Sequence, residues 1–135
     1  MSGDLLNKLY EDQRGFDTVF KCAVSSSGDK IFVLNRFQHK VLTLARDGTV
    51  LHTFTDPDLE FPWGVHVTAL GQVLICGSAS LTILQLDSEG KKKLETLVTE
   101  RDEIHQPCSV YYNRITSSII VGQWYRNNIH VFQVK

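Results

Sequence analysis

The sequence predicts an all-β protein built from β-propeller blades. Three consecutive units, residues 3–47, 48–89 and 90–135, are 45, 42 and 46 residues long, and each opens at a glycine. Every unit contains short apolar segments separated by turn-forming residues, and four-stranded repeats of about 40–50 residues are typical of propeller blades. Because closed propellers have about four blades or more, three units predict a segment of a ring, namely half of a six-bladed one.

The innermost strand of each unit, strand A, is predicted at residues 19–24, 64–68 and 108–112. Turns are predicted directly after it, at residues 25–29, 69–72 and 113–116. These turns contain Ser, Gly or Asn, which tolerate the backbone conformations that a chain reversal needs.

The second and third strands differ in their hydrophobic pattern. Strand B, at residues 31–34, 73–76 and 119–121, is almost wholly apolar, which indicates a strand covered on both faces. Strand C alternates apolar and polar residues, which predicts a half-buried strand. Its apolar positions are Val41, Leu42 and Leu44, then Leu81, Ile83, Leu84 and Leu86, then Ile129, Val131 and Phe132.

The outer strand, strand D, is predicted at the start of each unit rather than at its end. It is predicted around Val50, Leu51 and Phe54 in the second unit and around Leu94 and Leu97 in the third. A shift of 45 positions toward the N-terminus places Leu5, Leu6 and Leu9 in the same register, so we expect an N-terminal strand D, whereas the last unit ends on strand C. The alternative is a short capped helix over residues 4–11, since the same leucines also fit helical spacing.

This displacement leaves an unpaired strand edge and two open blade faces, which favour association. We expect a two-fold dimer in which the N-terminal strand D of each copy pairs with the terminal strand C of the other and six blades result. The expected dimer residues are Leu5, Leu6, Leu9, Ile129, Val131 and Phe132. The alternative is that other blades, from a longer protein that contains this chain, complete the ring.

Composition places the chain among ordinary globular proteins, with 42% hydrophobic and 21% charged residues. The formal net charge of −1 gives no general attraction to nucleic acid or anionic membranes. No apolar run approaches the roughly 20 residues that span a bilayer, and the N-terminus lacks a signal-peptide pattern. Cys22, Cys76 and Cys108 lie in apolar segments without a Cys-x-x-Cys pair, which predicts buried thiols in a reducing compartment, here the cytoplasm.

Catalytic and metal-binding patterns are missing from the sequence. There is no Gly-x-Ser-x-Gly, no phosphate-binding glycine-rich loop and no His-Glu-x-x-His, and the five histidines are scattered. The acidic groups at residues 56–60 and 100–103 fall in connections between blades, where charged side chains usually solvate a loop. We therefore expect a protein that is not an enzyme and uses no metal or cofactor.

Two loops between strands B and C combine arginine with aromatic side chains. The candidate partner-binding residues are Asn35, Arg36, Phe37 and His39 in one loop and Trp124, Tyr125, Arg126 and Asn127 in the other. Arg, Trp and Tyr are enriched in binding hot spots, and they also stack single-stranded bases. The alternative is that Phe37 and Trp124 pack between blades, as we expect for Trp63; the lysines at residues 91–93 are expected to protect a sheet edge.

Four segments resemble the propeller of NHL-repeat proteins, in particular the mollusc-type tripartite-motif (TRIM) members. They are FPWGVHV (61–67), GQVLICG (71–77), IIVGQW (119–124) and NIHVFQVK (128–135). The family pattern has an Asp after strand B, where this chain has Asn35, Ser78 and Gln123, and an Asn-x-Arg-Ile before strand C, of which only traces remain. The resemblance implies a propeller that binds protein or RNA, without the RING, B-box and coiled coil that precede it in family members.

Three functions follow from these expectations. The first is a non-catalytic recognition or scaffold module that binds protein partners through its loops and completes its ring by homodimerisation. The second is RNA binding by the same loops, with Arg36 and Arg126 as the contacts that make affinity depend on salt. The third is a degenerate enzyme similar to lactonase-type propellers, which would need a bound metal ion.

Overall fold

The computed structural model describes residues 2–12 and 18–134, and within them the chain folds into three antiparallel sheets that follow one another in sequence. Blade 1 contains β1 (Lys21–Val24), β2 (Lys30–Asn35), β3 (Lys40–Ala45) and β4 (Val50–Phe54). Blade 2 contains β5 (Pro62–Val67), β6 (Val73–Gly77), β7 (Thr82–Leu86) and β8 (Lys93–Val98), and blade 3 contains β9 (Pro107–Asn113), β10 (Ser118–Gln123) and β11 (Ile129–Gln133). The strands A to D predicted after residue 18 are confirmed, and a 3-10 turn at Glu100–Asp102 lies between blades 2 and 3.

Glycine makes the tight reversals of the first two blades possible. Gly28 and Gly71 lie in the turns after strand A, and Gly48 and Gly90 lie in the turns after strand C. All four have a positive φ, between 69° and 91°, which costs glycine no Cβ clash. The corresponding turn of blade 3 contains no glycine, and Ser117 adopts a φ of 53° there.

The hydrophobic core lies between successive blades. One cluster joins blades 1 and 2 through residues such as Phe32, Leu34, Ile75 and Leu84, and a second joins blades 2 and 3 through residues such as Leu74 and Ile119. Burial of this apolar area is the main stabilising term of the fold, at about 25 cal/mol per Å². Strand β6 is buried along its whole length, as its continuous apolar sequence predicts.

The prediction of a half-buried strand C is wrong for blades 1 and 2. Four of the six residues of β3 and four of the five residues of β7 are buried, because both faces of each strand are covered by other parts of the molecule. The buried polar residue Thr43 is accommodated by donating its hydroxyl to the carbonyl oxygen of Glu89 at 3.1 Å. Only β11 alternates between exposed and half-buried residues.

The thiols also depart partly from expectation. Cys76 is buried, and burial raises the pKa of its thiol. Cys108 is half-buried, whereas Cys22 is exposed on β1. The apolar sequence around Cys22 therefore does not bury it within the single chain.

The N-terminal residues 2–12 form neither the predicted strand nor the alternative helix in the single chain. They lie instead against blade 1: the backbone of Leu9 contacts Gly48, and Tyr10 packs on the cluster of Val33, Leu42 and Leu44. Leu5 and Leu6 are 90% and 92% exposed. Pairing of this segment with β11 of a second copy stays a prediction. Among the described residues, no helix is long and apolar enough to span a membrane.

Candidate functional site

The loops between strands B and C, and the connections that lead from one blade to the next, meet at one end of the molecule. Antiparallel pairing places both kinds of loop at this end and the A–B and C–D turns at the other. Aromatic side chains from all three blades form a continuous series of ring contacts here, which includes one arginine in blade 1. We call this set the aromatic–arginine cluster, and its members are Phe20, Arg36, Phe37, Phe61, Trp63, Trp124 and Tyr125.

Arg36 lies at the centre of the blade 1 part of the cluster. Its guanidinium carbon is 4.1 Å from the ring centroid of Phe20 and 4.9 Å from that of Phe37. The centroids of Trp63 and Phe61 are 5.4 Å and 5.9 Å away. Each distance falls within the range of cation–π attraction, which contributes about 0.5–2 kcal/mol per pair.

Trp63 connects this group to blade 3. Its ring lies 5.8 Å from Phe20 in an edge-on arrangement and 5.2 Å from Trp124 at an angle of 35°. Trp124 in turn packs on Tyr125 at 4.9 Å, and both of these side chains are exposed. Because Phe20 and Trp63 occupy equivalent positions at the start of strand A in blades 1 and 2, the continuous surface is a direct product of blade stacking.

His39 and Phe61 hold the blade 1 loop against the connection to blade 2. Both residues adopt a φ of 54°. The Phe61 amide donates to His39 Nδ1 at 2.8 Å, and the two rings are 5.5 Å apart. Phe37 packs edge-on against Phe61 at 5.4 Å. The loop is therefore fixed by a hydrogen bond and by ring contacts, so its conformation is preorganised.

Asn35 does not belong to the exposed surface, although it was expected to contact a partner. It is fully buried, its Nδ2 donates to Gln38 Oε1 at 3.2 Å and to Asp12 at 3.3 Å, and its Oδ1 accepts from the Gln38 amide. Asparagine is polar and stands at the end of the buried strand β2, and a buried polar group needs hydrogen-bond partners, which these contacts provide. Asn35 therefore positions the loop.

Gln123 has the equivalent role in blade 3. It is buried, its Oε1 accepts from the His105 amide at 2.8 Å, and its Nε2 donates to Asn128 at 3.1 Å. Strand pairing aligns Gly77 rather than Ser78 with Asn35 and Gln123, since Gly77 pairs with Thr82 just as Asn35 pairs with Lys40. The last position of strand B is thus occupied by two buried amides and a glycine in the three blades.

The second predicted loop opens onto a concave surface of about 410 Å³. Trp124, Tyr125 and Arg126 line one side of it, and Leu81, His105 and Gln106 line the other. Arg126 and Asn127 are exposed, and partner binding by them stays a prediction. The sequence did not indicate a site at Leu81, His105 or Gln106, nor at Phe20 or Phe61. These residues lie outside the two B–C loops that combine arginine with aromatic side chains.

A separate apolar cavity of about 360 Å³ lies at the opposite end of the molecule, between blades 2 and 3. Leu70, Leu97, Tyr112, Ile115 and Val134 line it, and Leu70 and Ile115 are exposed at its rim. The sequence does not predict this cavity, because its lining combines two A–B turns with strands from both blades.

The acidic residues of the blade connections make local interactions. Lys93 Nζ lies 3.3 Å from both Asp56 and Asp58 and so joins β8 to the connection between blades 1 and 2. Lys93 is thus ion-paired on the outer strand β8, and Lys91 Nζ lies 3.7 Å from Glu89, while the side chains of Lys91 and Lys92 are exposed. Protection of the sheet edge by these lysines stays a prediction. Over residues 2–12 and 18–134, no three His, Cys, Asp or Glu side chains come together in a way that would hold a metal ion.

Comparison with known proteins gives a fold and no family. No family model and no curated protein matches the sequence. Hydrazine synthase from Kuenenia stuttgartiensis matches with a TM-score of 0.73 at 17% identity, over 97% of this chain and 36% of that one. A functionally unknown protein from Desulfotomaculum acetoxidans matches with a TM-score of 0.69 at 16% identity, over 90% of this chain and 39% of that one.

The catalytically inactive H270A variant of virginiamycin B lyase from Staphylococcus aureus, solved with quinupristin, matches with a TM-score of 0.63 at 15% identity. The match covers 93% of this chain and 44% of the lyase. The chain thus corresponds to less than half the length of each of these structures. At such low identity the matches show a β-propeller-like fold, in agreement with the three antiparallel sheets.

Proposed function

We propose that this chain is a non-catalytic recognition module that binds a protein partner through the aromatic–arginine cluster, within a completed propeller ring. The observation that carries the proposal is the continuity of the cluster, in which Trp63 joins the Arg36 group of blade 1 to Trp124 of blade 3. Large aromatic side chains and arginine dominate the energetics of protein interfaces.

Two properties favour a protein ligand. The net charge of −1 provides no general attraction to a polyanion. The buried Asn35 and the hydrogen bond from the Phe61 amide to His39 fix the backbone beneath the cluster, so little conformational entropy is lost on binding. A rigid aromatic surface with an exposed tryptophan at its rim has the character of an interface centre.

The test compares the proteins captured from a cell extract by the wild type, by a Trp124→Ala, Tyr125→Ala double variant and by a Leu70→Ala control. Leu70 is exposed at the other end of the molecule. Quantitative mass spectrometry is expected to show partners retained by the control and depleted at least tenfold for the double variant, with thermal stability unchanged. Equal capture by all three proteins would contradict binding through this surface.

RNA binding is the second candidate, because Trp124, Tyr125 and Arg126 surround an open concave surface of the kind on which bases stack. Fluorescence anisotropy with single-stranded oligonucleotides would test it. RNA binding predicts an affinity that falls steeply with salt and is weakened by Arg126→Ala. Affinity that is absent at low salt removes this candidate. No observation favours the lactonase-like alternative, which analysis of the purified protein for bound metal would address.

The same proposal includes membership of the NHL-type propellers and a cytoplasmic location. The segments at residues 61–67 and 119–124 support the first, and the free thiols of Cys22, Cys76 and Cys108 are compatible with the second. Fractionation of cells that produce the tagged chain, with cytoplasmic and membrane marker proteins, measures the location directly.

A further inference from the structure

We propose that two copies of this chain close one ring by exchanging their N-terminal segments: residues 6–10 of each copy pair with β11 of the other, and blade 3 of each copy packs on blade 1 of the other. The inference rests on the proposed function only in requiring a completed ring, and it is independent of what the aromatic–arginine cluster binds.

The first observation is an open face on blade 3. Each blade has a trailing face, which packs on the following blade, and the strand pairings define equivalent positions on it: Val41, Ile83 and Ile129 in strand C. Val41 and Ile83 are both 0% exposed, but Ile129 is 67% exposed. At the next trailing position Thr43 is 1% exposed, whereas its equivalent Val131 is 63% exposed. Tyr111 and Ile120 extend this apolar surface across β9 and β10.

The second observation is a half-open face on blade 1. The leading face of a blade packs on the preceding blade, and in blade 2 it includes Val65, Val67 and Ile75. The equivalents in blade 1 are Cys22, Val24 and Val33. Cys22 and Val24 are exposed, although Val65 and Val67 are packed against the core. The inner half of the leading face of blade 1 therefore lacks the cover that blade 2 receives.

The third observation is that Tyr10 already occupies the place of a strand D residue. Phe54, from strand D of blade 1, belongs to the cluster that contains Ile75, Leu84 and Leu86 of blade 2. Val33, Leu42 and Leu44 are the equivalents in blade 1, and Tyr10 packs on them. Leu9 and Tyr10 thus lie against blade 1 where the outer strand of a preceding blade would lie, and blade 1 has no strand C that pairs with them.

These equivalences define the pairing. In blade 1, Val41 pairs with Phe54, Leu42 with Thr53 and Thr43 with His52. Substituting the equivalent residues gives Ile129 opposite Tyr10, His130 opposite Leu9 and Val131 opposite Lys8. The N-terminal segment is therefore offset from β4 by 44 positions. Sequence alignment matches Leu9 with Phe54 at an offset of 45, because it does not show the register shifts in the pairings of β3 with β4 and of β7 with β8.

A second copy is the occupant that satisfies every open surface at once. Each copy carries one open trailing face, one half-open leading face, one unpaired β11 edge and one unpaired N-terminal segment. Two copies related by a two-fold axis match each of these to its complement and yield six blades, which is within the usual range for closed propellers. The new blade junction repeats the packing that joins blades 1 to 2 and 2 to 3 within the chain.

The test begins with the mass of the intact chain by light scattering over a concentration series. We expect a stable species of twice the 15.3 kDa protomer. Val131→Asp, which introduces a charge on the trailing face, is expected to shift this species at least tenfold toward monomer while far-ultraviolet circular dichroism retains the β spectrum. Leu70→Asp introduces the same charge in an exposed turn of blade 2, away from either open face, and serves as the control that leaves the mass unchanged. A wild-type mass of 15.3 kDa at all concentrations overturns the proposal.

Cysteine cross-linking then tests the pairing itself. In a Cys22→Ser background, Lys8→Cys combined with Val131→Cys is expected to give a covalent dimer with oxidised glutathione, because the two Cβ atoms face each other across the ladder. Lys8→Cys combined with Ile115→Cys is the matched control and gives none. A dimer that forms no Lys8→Cys to Val131→Cys bond, or that cross-links equally well in the control, overturns the strand exchange.

The wild-type Cys22 provides an independent measurement. Its equivalent Val65 is covered by blade 1, so Cys22 is expected to be covered by blade 3 of the second copy. The rate of its alkylation should fall at least tenfold from nanomolar to micromolar protein, while a thiol introduced by Ala79→Cys in an exposed loop reacts at a constant rate. An unchanged Cys22 rate in a proven dimer contradicts the proposed junction.

Discussion

Individual side chains at the loop end divide into those that hold the surface and those that form it. Arg36 and Trp124 could be predicted from the sequence because arginine and tryptophan are conspicuous in short loops. Phe20 and Phe61 could not, because the contacts that bring them to Arg36 arise only when blades 1 and 2 stack. Asn35 was assigned to the surface by its neighbours in sequence, and its burial places it beneath the surface.

We predict that Asn35→Ala destabilises the protein by about 1–3 kcal/mol, because it removes buried hydrogen bonds to Gln38 and leaves the partner groups unsatisfied. Asn127→Ala is the matched control, since this amide is exposed and the change is expected within about 0.5 kcal/mol. Urea unfolding followed by tryptophan fluorescence measures both. Equal midpoints for the two variants would show that the buried amide of Asn35 contributes no more to stability than the exposed amide of Asn127.

The strands are the elements that the sequence predicts best. Their apolar segments recur in the same order in every unit, and β-branched residues dominate strand B. The alternating sequence of β3 and β7 predicts less burial than the structure has, because the pattern shows only which side chains are polar. A polar side chain in a covered strand can find its hydrogen-bond partner in the neighbouring blade, as Thr43 does. The N-terminal strand was not found because its pairing partner, on the interpretation given above, belongs to another copy.

Strands β5 and β9 approach each other closely at Gly64. A Cβ at this position would lie 2.7 Å from the carbonyl oxygen of Cys108 and 3.0 Å from the Cα of Ser109, so the backbones must separate to admit it. We predict that Gly64→Ala destabilises the fold by about 1–3 kcal/mol. Gly3→Ala, where nothing lies within 4 Å, should have no such effect. Denaturant midpoints distinguish the two, and a neutral Gly64→Ala would mean that blades 2 and 3 can shift apart without cost.

The same pair of strands brings the rings of His66 and Tyr111 to 4.5 Å. Burial lowers the pKa of His66 below its ordinary value. The unfolded chain therefore binds a proton at a higher pH than the folded chain, and stability falls as the pH drops through the ordinary histidine pKa of about 6.5 toward the lowered one. We predict that His66→Gln flattens this part of the stability profile between pH 7 and pH 5. An unchanged slope would mean that the other histidines cause the loss of stability between pH 7 and pH 5.

At the scale of the whole molecule, stability is expected to be highest in the middle. Blade 2 is covered on both faces, and β6 is buried throughout, whereas β11 alternates between exposed and half-buried residues. We predict that the slowest backbone amides in native-state hydrogen exchange lie in β6 and β7, because they open only with the whole fold. Slowest exchange in blade 1 or blade 3 would contradict the inference that cover by neighbouring blades determines local stability.

In the proposed ring, the half-open leading face of blade 1 packs on the open trailing face of blade 3 of another copy. Because the two faces differ, a row of joined copies has a direction, with a head and a tail. The rotation accumulated across three blades decides whether such a row closes: half a turn closes it after two copies and a smaller whole fraction of a turn closes it after more copies. A rotation that does not close lets copies add without limit as a helical fibre. The rotation between blades therefore influences the solubility of this chain as much as its surface polarity does. A substitution that widens one blade junction by a few degrees, far from either open face, would exchange a discrete particle for a filament.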